Sequence, residues 1–152
     1  MPEHQRSPQP PLLFLACLLA GWGLGFLRPL GTHLPDALRH GVGVALLAGS
    51  LALAGWALAA FKGAGTTPNP NGEATALLTS GPFGYSRNPL YLGLSACLAG
   101  LGMLLDSAWV LLMVSGLVLL LDRLVIAREE VRLRAQFGGA YEAYVRRVRR
   151  WA

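Results

Sequence analysis

Gly81-Pro82-Phe83-Gly84-Tyr85-Ser86-Arg87-Asn88-Pro89-Leu90-Tyr91-Leu92-Gly93 is the stretch on which the reading of the chain turns. An arginine, an amide and two tyrosines stand where a loop enters an otherwise apolar run. Asn caps free backbone N–H groups and Pro suits the first helical position, so Asn88-Pro89 predicts a helix start. The positive dipole end of that helix would then face the polar side and attract a carboxylate or phosphate. One hydrophobic hairpin later comes a second polar cluster, Arg128-Glu129-Glu130. Polar groups at a membrane edge are costly unless they bind something. The two clusters together predict a small-molecule site at a membrane face.

Composition supports the membrane setting. The chain has 152 residues, 53% hydrophobic and 14% charged, against roughly 25% charged in an ordinary soluble domain. Four stretches approach the roughly 20 residues that cross a bilayer: about 11–30, 38–61, 89–105 and 108–127. The third is short and must lean on its neighbours. Leu105-Asp106-Ser107-Ala108 reads as a tight turn that joins spans three and four as an antiparallel hairpin. The expected fold is therefore an all-α integral membrane protein, a single domain of four transmembrane helices followed by a C-terminal amphipathic helix. The N-terminus carries few basic residues before a long apolar run, and the first span is expected to be retained rather than cleaved.

Charge sets the expected orientation. Arg6, Lys62, Arg87, Arg123, Arg128, Arg132, Arg134, Arg146, Arg147, Arg149 and Arg150 fall on one side of a four-span chain, with both termini. Only Arg28 and Arg39 fall on the other. The positive-inside rule puts the arginine-rich face, the long loop and both polar clusters in the cytoplasm. The net charge of +5 is thus a membrane-face bias, and no nucleic-acid partner is expected. Cys17 and Cys97 lie singly in apolar runs and read as packed thiols. His4, His33 and His40 have no partners at metal-ligand spacing, so no metal is expected.

The loop after the second span contains Thr67-Pro68-Asn69-Pro70-Asn71-Gly72, which the prolines exclude from a regular helix. Ala74 to Thr79 is expected to form a short interfacial turn. In the tail, Leu133, Phe137, Tyr141, Tyr144, Val148 and Trp151 recur at spacings of 4, 4, 3, 4 and 3, the helical period. Gly138-Gly139 should bend it. Such a helix anchors on anionic lipid, covers a site as a lid, or does both. Asp122 is seven residues before Glu129 and is expected to share its face. Arg134, four after Glu130, is a candidate ion-pair partner. Gly21, Gly25, Gly93, Ala96 and Gly100 are expected at helix contacts. A nucleotide-binding βαβ unit, a P-loop, an HExxH motif and a Ser-His-Asp set are all missing from the sequence.

Gly81-Pro82-Phe83, Arg87-Asn88-Pro89-Leu90-Tyr91-Leu92-Gly93, Glu129-Glu130 and Phe137-Gly138 with Tyr141 and Tyr144 form an ordered series. It resembles the isoprenylcysteine carboxyl methyltransferase family and the broader group of membrane phospholipid methyltransferases. That group's usual Arg-His-Pro-x-Tyr-x-Gly has Asn88 in place of His here, a variant of bacterial relatives, so the resemblance implies a bacterial inner membrane as the expected location. The resemblance covers about 61–151 and implies an S-adenosylmethionine-dependent methyltransferase acting on a lipophilic small molecule of the isoprenylcysteine type or a related lipid. It also implies a cofactor site at Gly81, Pro82, Tyr85, Arg87, Asn88, Pro89, Tyr91, Gly93, Glu129 and Glu130. Arg87, or the first amides of span three, would hold the cofactor carboxylate. Glu129 or Glu130 would hold its ammonium or ribose hydroxyls, and Tyr85 and Tyr91 would pack on the adenine or the sulfonium. Arg146, Arg147 or Arg149 would orient a substrate carboxylate, with Arg147 and Arg149 as the catalytic candidates. On this reading, Glu130→Ala weakens cofactor binding and leaves expression intact. Phospholipid head-group N-methylation, NADPH-dependent membrane reduction and a non-catalytic scaffold are the competing functions.

Overall fold

The computed structural model describes residues 7–68 and 74–152. His4, Arg6 and the Asn69 to Gly72 part of the loop therefore lie outside the described residues. Five helices follow in order: α1 Pro10–Leu27, α2 Asp36–Gly63, α3 Pro89–Leu104, α4 Ala108–Leu120 and α5 Ala127–Arg147. The described residues contain no strand. Three helical stretches are long and apolar enough to cross a membrane, and α3 is a shorter apolar helix. The chain is an all-α membrane protein.

The order of packing comes from small residues. Gly43, Ser50 and Ala57 are the buried positions of α2, spaced seven apart, so they form one seam along the helix. α3 runs antiparallel against this seam. A Cβ on Gly100 would lie 3.0 Å from the Gly43 carbonyl oxygen, and a Cβ on Gly93 would lie 3.4 Å from that of Ser50. Backbones approach this closely only where side chains are minimal, the usual solution for helices in lipid. Gly21 does the same on α1, where a Cβ would meet Val110 Cα at 2.8 Å. Gly25 meets nothing, so only the first glycine of that pair makes a helix contact. The extensive pairings are thus α2 with α3, α3 with α4, and α4 with α1.

One end of the bundle is tied by polar contacts. Arg39 donates to the carbonyls of Met103 and Leu104 at 3.2 and 3.0 Å, which places a cation on the open C-terminus of α3. Asp106 accepts from Thr32 N and Oγ1 at 3.0 and 2.6 Å. The Thr32 hydrogen bonds hold the Asp106 carboxyl below the usual carboxylate range. Ser107 caps α4 by accepting from Val110 N.

At the other end, α4 does not stop. It widens into a π-helical segment, Leu121–Ile126, and continues into α5, so span four and the tail form one rod. That rod bends at Gly138, whose φ of 50° and ψ of −124° are non-helical and suit a residue without a Cβ. Among the described residues of the loop, the helical turn is a 3-10 turn at Gly81–Gly84 rather than at Ala74 to Thr79. Pro82 at its start presets φ.

Beyond the bend, the apolar face of the tail turns inward. Tyr141, Tyr144 and Val148 pack with Ala57 and Phe83 in a second core, flanked by Leu133 and Phe137. Tyr144 Oη donates to the Phe83 carbonyl at 2.7 Å. The tail folds back onto the bundle end.

The seam gives a test. Gly100→Leu forces side-chain atoms into the Gly43 backbone and should lower stability by about 1–3 kcal/mol. Gly49→Leu, where a Cβ meets nothing within 4 Å, should leave the unfolding midpoint of the detergent-solubilised protein unchanged.

Candidate functional site

The entry to α3 and the start of α5 meet. Arg87 Nη1 donates to Glu130 Oε1 at 2.9 Å although the residues are 43 apart in sequence. Their side chains are 11% and 8% exposed, so the pair is buried. Arg87 Nη1 also reaches Tyr141 Oη at 3.3 Å. Arg87 Nε is buried and has no hydrogen-bond partner. A buried donor left unpaired is costly.

A second arginine closes the cluster. Arg150 Nε and Nη2 donate to Glu130 Oε1 and Oε2 at 3.0 and 2.6 Å. Its Nη1 donates to both oxygens of Asp122 at 3.1 and 3.2 Å. Trp151 Nε1 reaches Asp122 Oδ1 at 3.3 Å. The Glu130 hydrogen bond leads the causes that hold the Arg150 guanidinium above its usual range.

The π segment explains which carboxylate does this. In a straight α-helix Asp122 would share a face with Glu129, seven residues on. A π turn takes in an extra residue, so the partner of Asp122 moves to Glu130, eight residues on. Arg134 is not the partner of Glu130. It pairs at the surface with Glu142 at 2.8 Å, because Glu130 points inward while Arg134 is exposed.

Glu129 faces another way, as adjacent helical residues must. It accepts from Tyr91 Oη at 3.0 Å. Tyr91 is buried in α3 and also lines an apolar groove of about 450 Å³ with Pro10, Ala54, Leu58, Leu94 and Cys97. Tyr91 is therefore shared by the groove lining and the hydrogen bond to Glu129.

Asn88 does not cap α3. Its Nδ2 donates to the Arg150 carbonyl at 2.8 Å instead. Arg87 N donates to the Arg149 carbonyl at 3.0 Å, so the last residues lie across the start of α3 and compete for the amide. Pro82 and Pro89 are buried supports of the turn and the helix. Gly81, at a φ of 60°, sits beside Trp56. Gly93 faces Ser50 and belongs to the helix seam as well as the groove. Tyr85 is 76% exposed, 6.1 Å from the Trp56 ring, away from the buried cluster. Arg147 and Arg149 are exposed. Among the described residues no group of His, Cys, Asp and Glu could hold a metal.

The sequence did not single out Arg150, or link Asp122 to Glu130. Only the position of Trp151 on the tail's apolar stripe hinted that the final residues fold inward.

The family model for phospholipid methyltransferase matches residues 38–140. The chain belongs to the phospholipid methyltransferase family. This is the group of integral membrane methyltransferases that includes the isoprenylcysteine carboxyl methyltransferases, as the motif series suggested. No curated protein and no solved structure matches the chain. In this family member the motif residues split into two jobs. Arg87, Tyr91, Glu129 and Glu130 converge in space. Gly81, Pro82, Pro89 and Gly93 shape the backbone around them.

Removing one member of the buried pair should cost more than removing a surface one. Glu130→Ala strands Arg87 and should cost about 3–5 kcal/mol and reduce expression. Arg134→Ala should change stability by less than about 1 kcal/mol. Unfolding midpoints of the two variants in one detergent check this, and an unchanged midpoint for Glu130→Ala would instead leave ligand binding as its one effect.

Proposed function

We propose that this membrane methyltransferase moves a methyl group from S-adenosylmethionine to a lipophilic acceptor, at an arginine-rich face that lies in the cytoplasm. The observation that carries the reading is convergence. Arg87 and Glu130 meet at 2.9 Å, beside a Tyr91–Glu129 hydrogen bond of 3.0 Å, and Tyr91 also lines an apolar groove. Charged anchors next to a greasy surface suit a reaction that joins a polar donor to a lipid.

The residues fit the cofactor. S-adenosylmethionine supplies an electrophilic methyl on a sulfonium, which leaves as a neutral thioether once the acceptor's lone pair bonds to the methyl carbon. Arg87 has a buried, unpartnered Nε, a donor for an anionic group such as a carboxylate. Glu129, engaged by Tyr91 at one oxygen, keeps acceptor capacity for an ammonium or a ribose hydroxyl. The Tyr91 ring offers a π face to a cation. Glu130 carries hydrogen bonds from two arginines on its two oxygens, so its first task is to orient Arg87. The protein contributes alignment and exclusion of water, and the buried cluster under the tail supplies both. Asn88, Pro82 and Pro89 hold the frame. Tyr85, beside Trp56, would sit with it at the membrane interface. Arg147 and Arg149 would meet an anionic head group or substrate carboxylate at the rim.

Glu129 is also placed to take a proton from an amine acceptor, which favours head-group N-methylation as the second reading, beside carboxyl methylation of an isoprenylcysteine-type acceptor. Calorimetry on the detergent-purified protein should show saturable binding of S-adenosylhomocysteine. Binding of NADPH in its place would make the chain a reductase. Glu129→Gln should lower transfer of radiolabelled methyl into extractable lipid by about 100-fold or more, with an unchanged unfolding midpoint.

A further inference from the structure

We propose that Asp122, on the π segment, is a positioning residue for methyl transfer: acting through Arg150, it sets the aim of Glu130 and Arg87. The inference rests on the methyltransferase reading and gives a role at the donor site to a residue outside the motif series.

Arg150 lies between two carboxylates. Its Nε and Nη2 form a fork on the two oxygens of Glu130, at 3.0 and 2.6 Å. Its Nη1 donates to both oxygens of Asp122, at 3.1 and 3.2 Å. A guanidinium is planar and its donors point in fixed directions. Held at two edges, it loses the freedom to tilt that a contact with Glu130 alone would leave. Asp122 is a firm anchor for this. It stands in the π segment beside the buried Leu121, with Val125 and Ile126 buried further on. Trp151, packed against the apolar core, also donates from Nε1 to Asp122 Oδ1 at 3.3 Å.

The constraint reaches Arg87 by two routes. Along the side chains, Glu130 Oε1 accepts from Arg87 Nη1 at 2.9 Å. The tilt of that carboxylate therefore sets where the Arg87 guanidinium and its buried, unpartnered Nε lie. Along the main chain, the Arg150 carbonyl accepts from Asn88 Nδ2 at 2.8 Å and from Ser86 Oγ at 3.4 Å. The Arg149 carbonyl accepts from Arg87 N at 3.0 Å. Charge points the same way. Two guanidinium groups face two carboxylates in this cluster. Without the Asp122 charge both would compete for Glu130, and Arg150, whose side chain is 35% exposed, is the one that water draws away. The Asp122 side chain is itself 24% exposed, and a partly exposed ion pair adds little to stability. Its role therefore shows in the geometry of the site more than in the strength of the fold.

The test compares Asp122→Asn, Arg150→Gln and the double variant, each as full-length protein purified in detergent. S-adenosylhomocysteine affinity is read by calorimetry, and methyl transfer from radiolabelled S-adenosylmethionine into extractable lipid gives KM and kcat. Asp122→Asn should weaken S-adenosylhomocysteine and raise the KM for S-adenosylmethionine by about tenfold. Its kcat should fall by less than about threefold, and its unfolding midpoint should stay within about 2 °C of wild type. The double variant should bind within about twofold of Arg150→Gln alone, because the two residues act in series. Glu142→Gln, which breaks the surface pair with Arg134, should change none of these. Wild-type affinity and KM in Asp122→Asn overturn the proposal. So does a midpoint that drops in step with affinity, which is the mark of a structural role, and so do losses that multiply in the double variant. If Asp122→Asn fails to fold, Arg150→Lys decides, since it keeps the charge but cannot span both carboxylates; unchanged affinity there overturns the proposal too. Saturable binding by the wild type beside an indifferent Asp122→Asn sinks the role of Asp122 alone. No binding by the wild type sinks the methyltransferase reading along with it.

Discussion

The Glu130 carboxylate holds the rest of the site in place. It accepts from Arg87, at the start of α3, and from Arg150, at the end of the chain. Three segments far apart in sequence are thereby fixed to one buried point. A lone carboxylate in such surroundings would be strongly disfavoured, and so would a lone guanidinium. Each is tolerated only because the other is present. The net gain over an apolar replacement is small in such clusters, whereas the penalty for a missing member is large. The cluster therefore acts as a register, specifying how the tail sits on the bundle more than how strongly.

The tail shows the same division. Its apolar stripe supplies the area that holds it down, with Tyr141, Tyr144 and Val148 against Ala57 and Phe83. The polar contacts of Arg149 and Arg150 with Arg87 and Asn88 fix the fine position. Burial of this kind covers the polar cluster.

Much of this was legible in the residues. Hydropathy located the helices within a few positions, and the run from Arg87 to Gly93 with Glu129-Glu130 named the motif residues. The period of the tail stripe predicted its buried face. The bend at Gly138 was readable because two adjacent glycines weaken a helix locally. Three features were not legible, each for a physical reason. The π segment has no composition signal, since Leu121–Ile126 would serve equally well in an α-helix, so the partner of Asp122 was misplaced by one residue. Asn88 was expected to cap α3, but capping competes with tertiary hydrogen bonds, and the Arg150 carbonyl won. Arg150 looked like one more basic residue among neighbours, because an ion pair across 20 residues leaves no trace in local spacing.

The π segment also carries a consequence for how such chains diverge. It lies between the membrane-spanning part of the last rod and the part that bears both glutamates. Losing one residue there would restore the ordinary helical pitch and turn everything beyond it by about a quarter of a revolution. Glu130 would swing toward lipid, and the inward tyrosines would follow. The number of residues in this short stretch therefore sets the aim of everything beyond it, as surely as the side chain of Asp122 fixes Arg150.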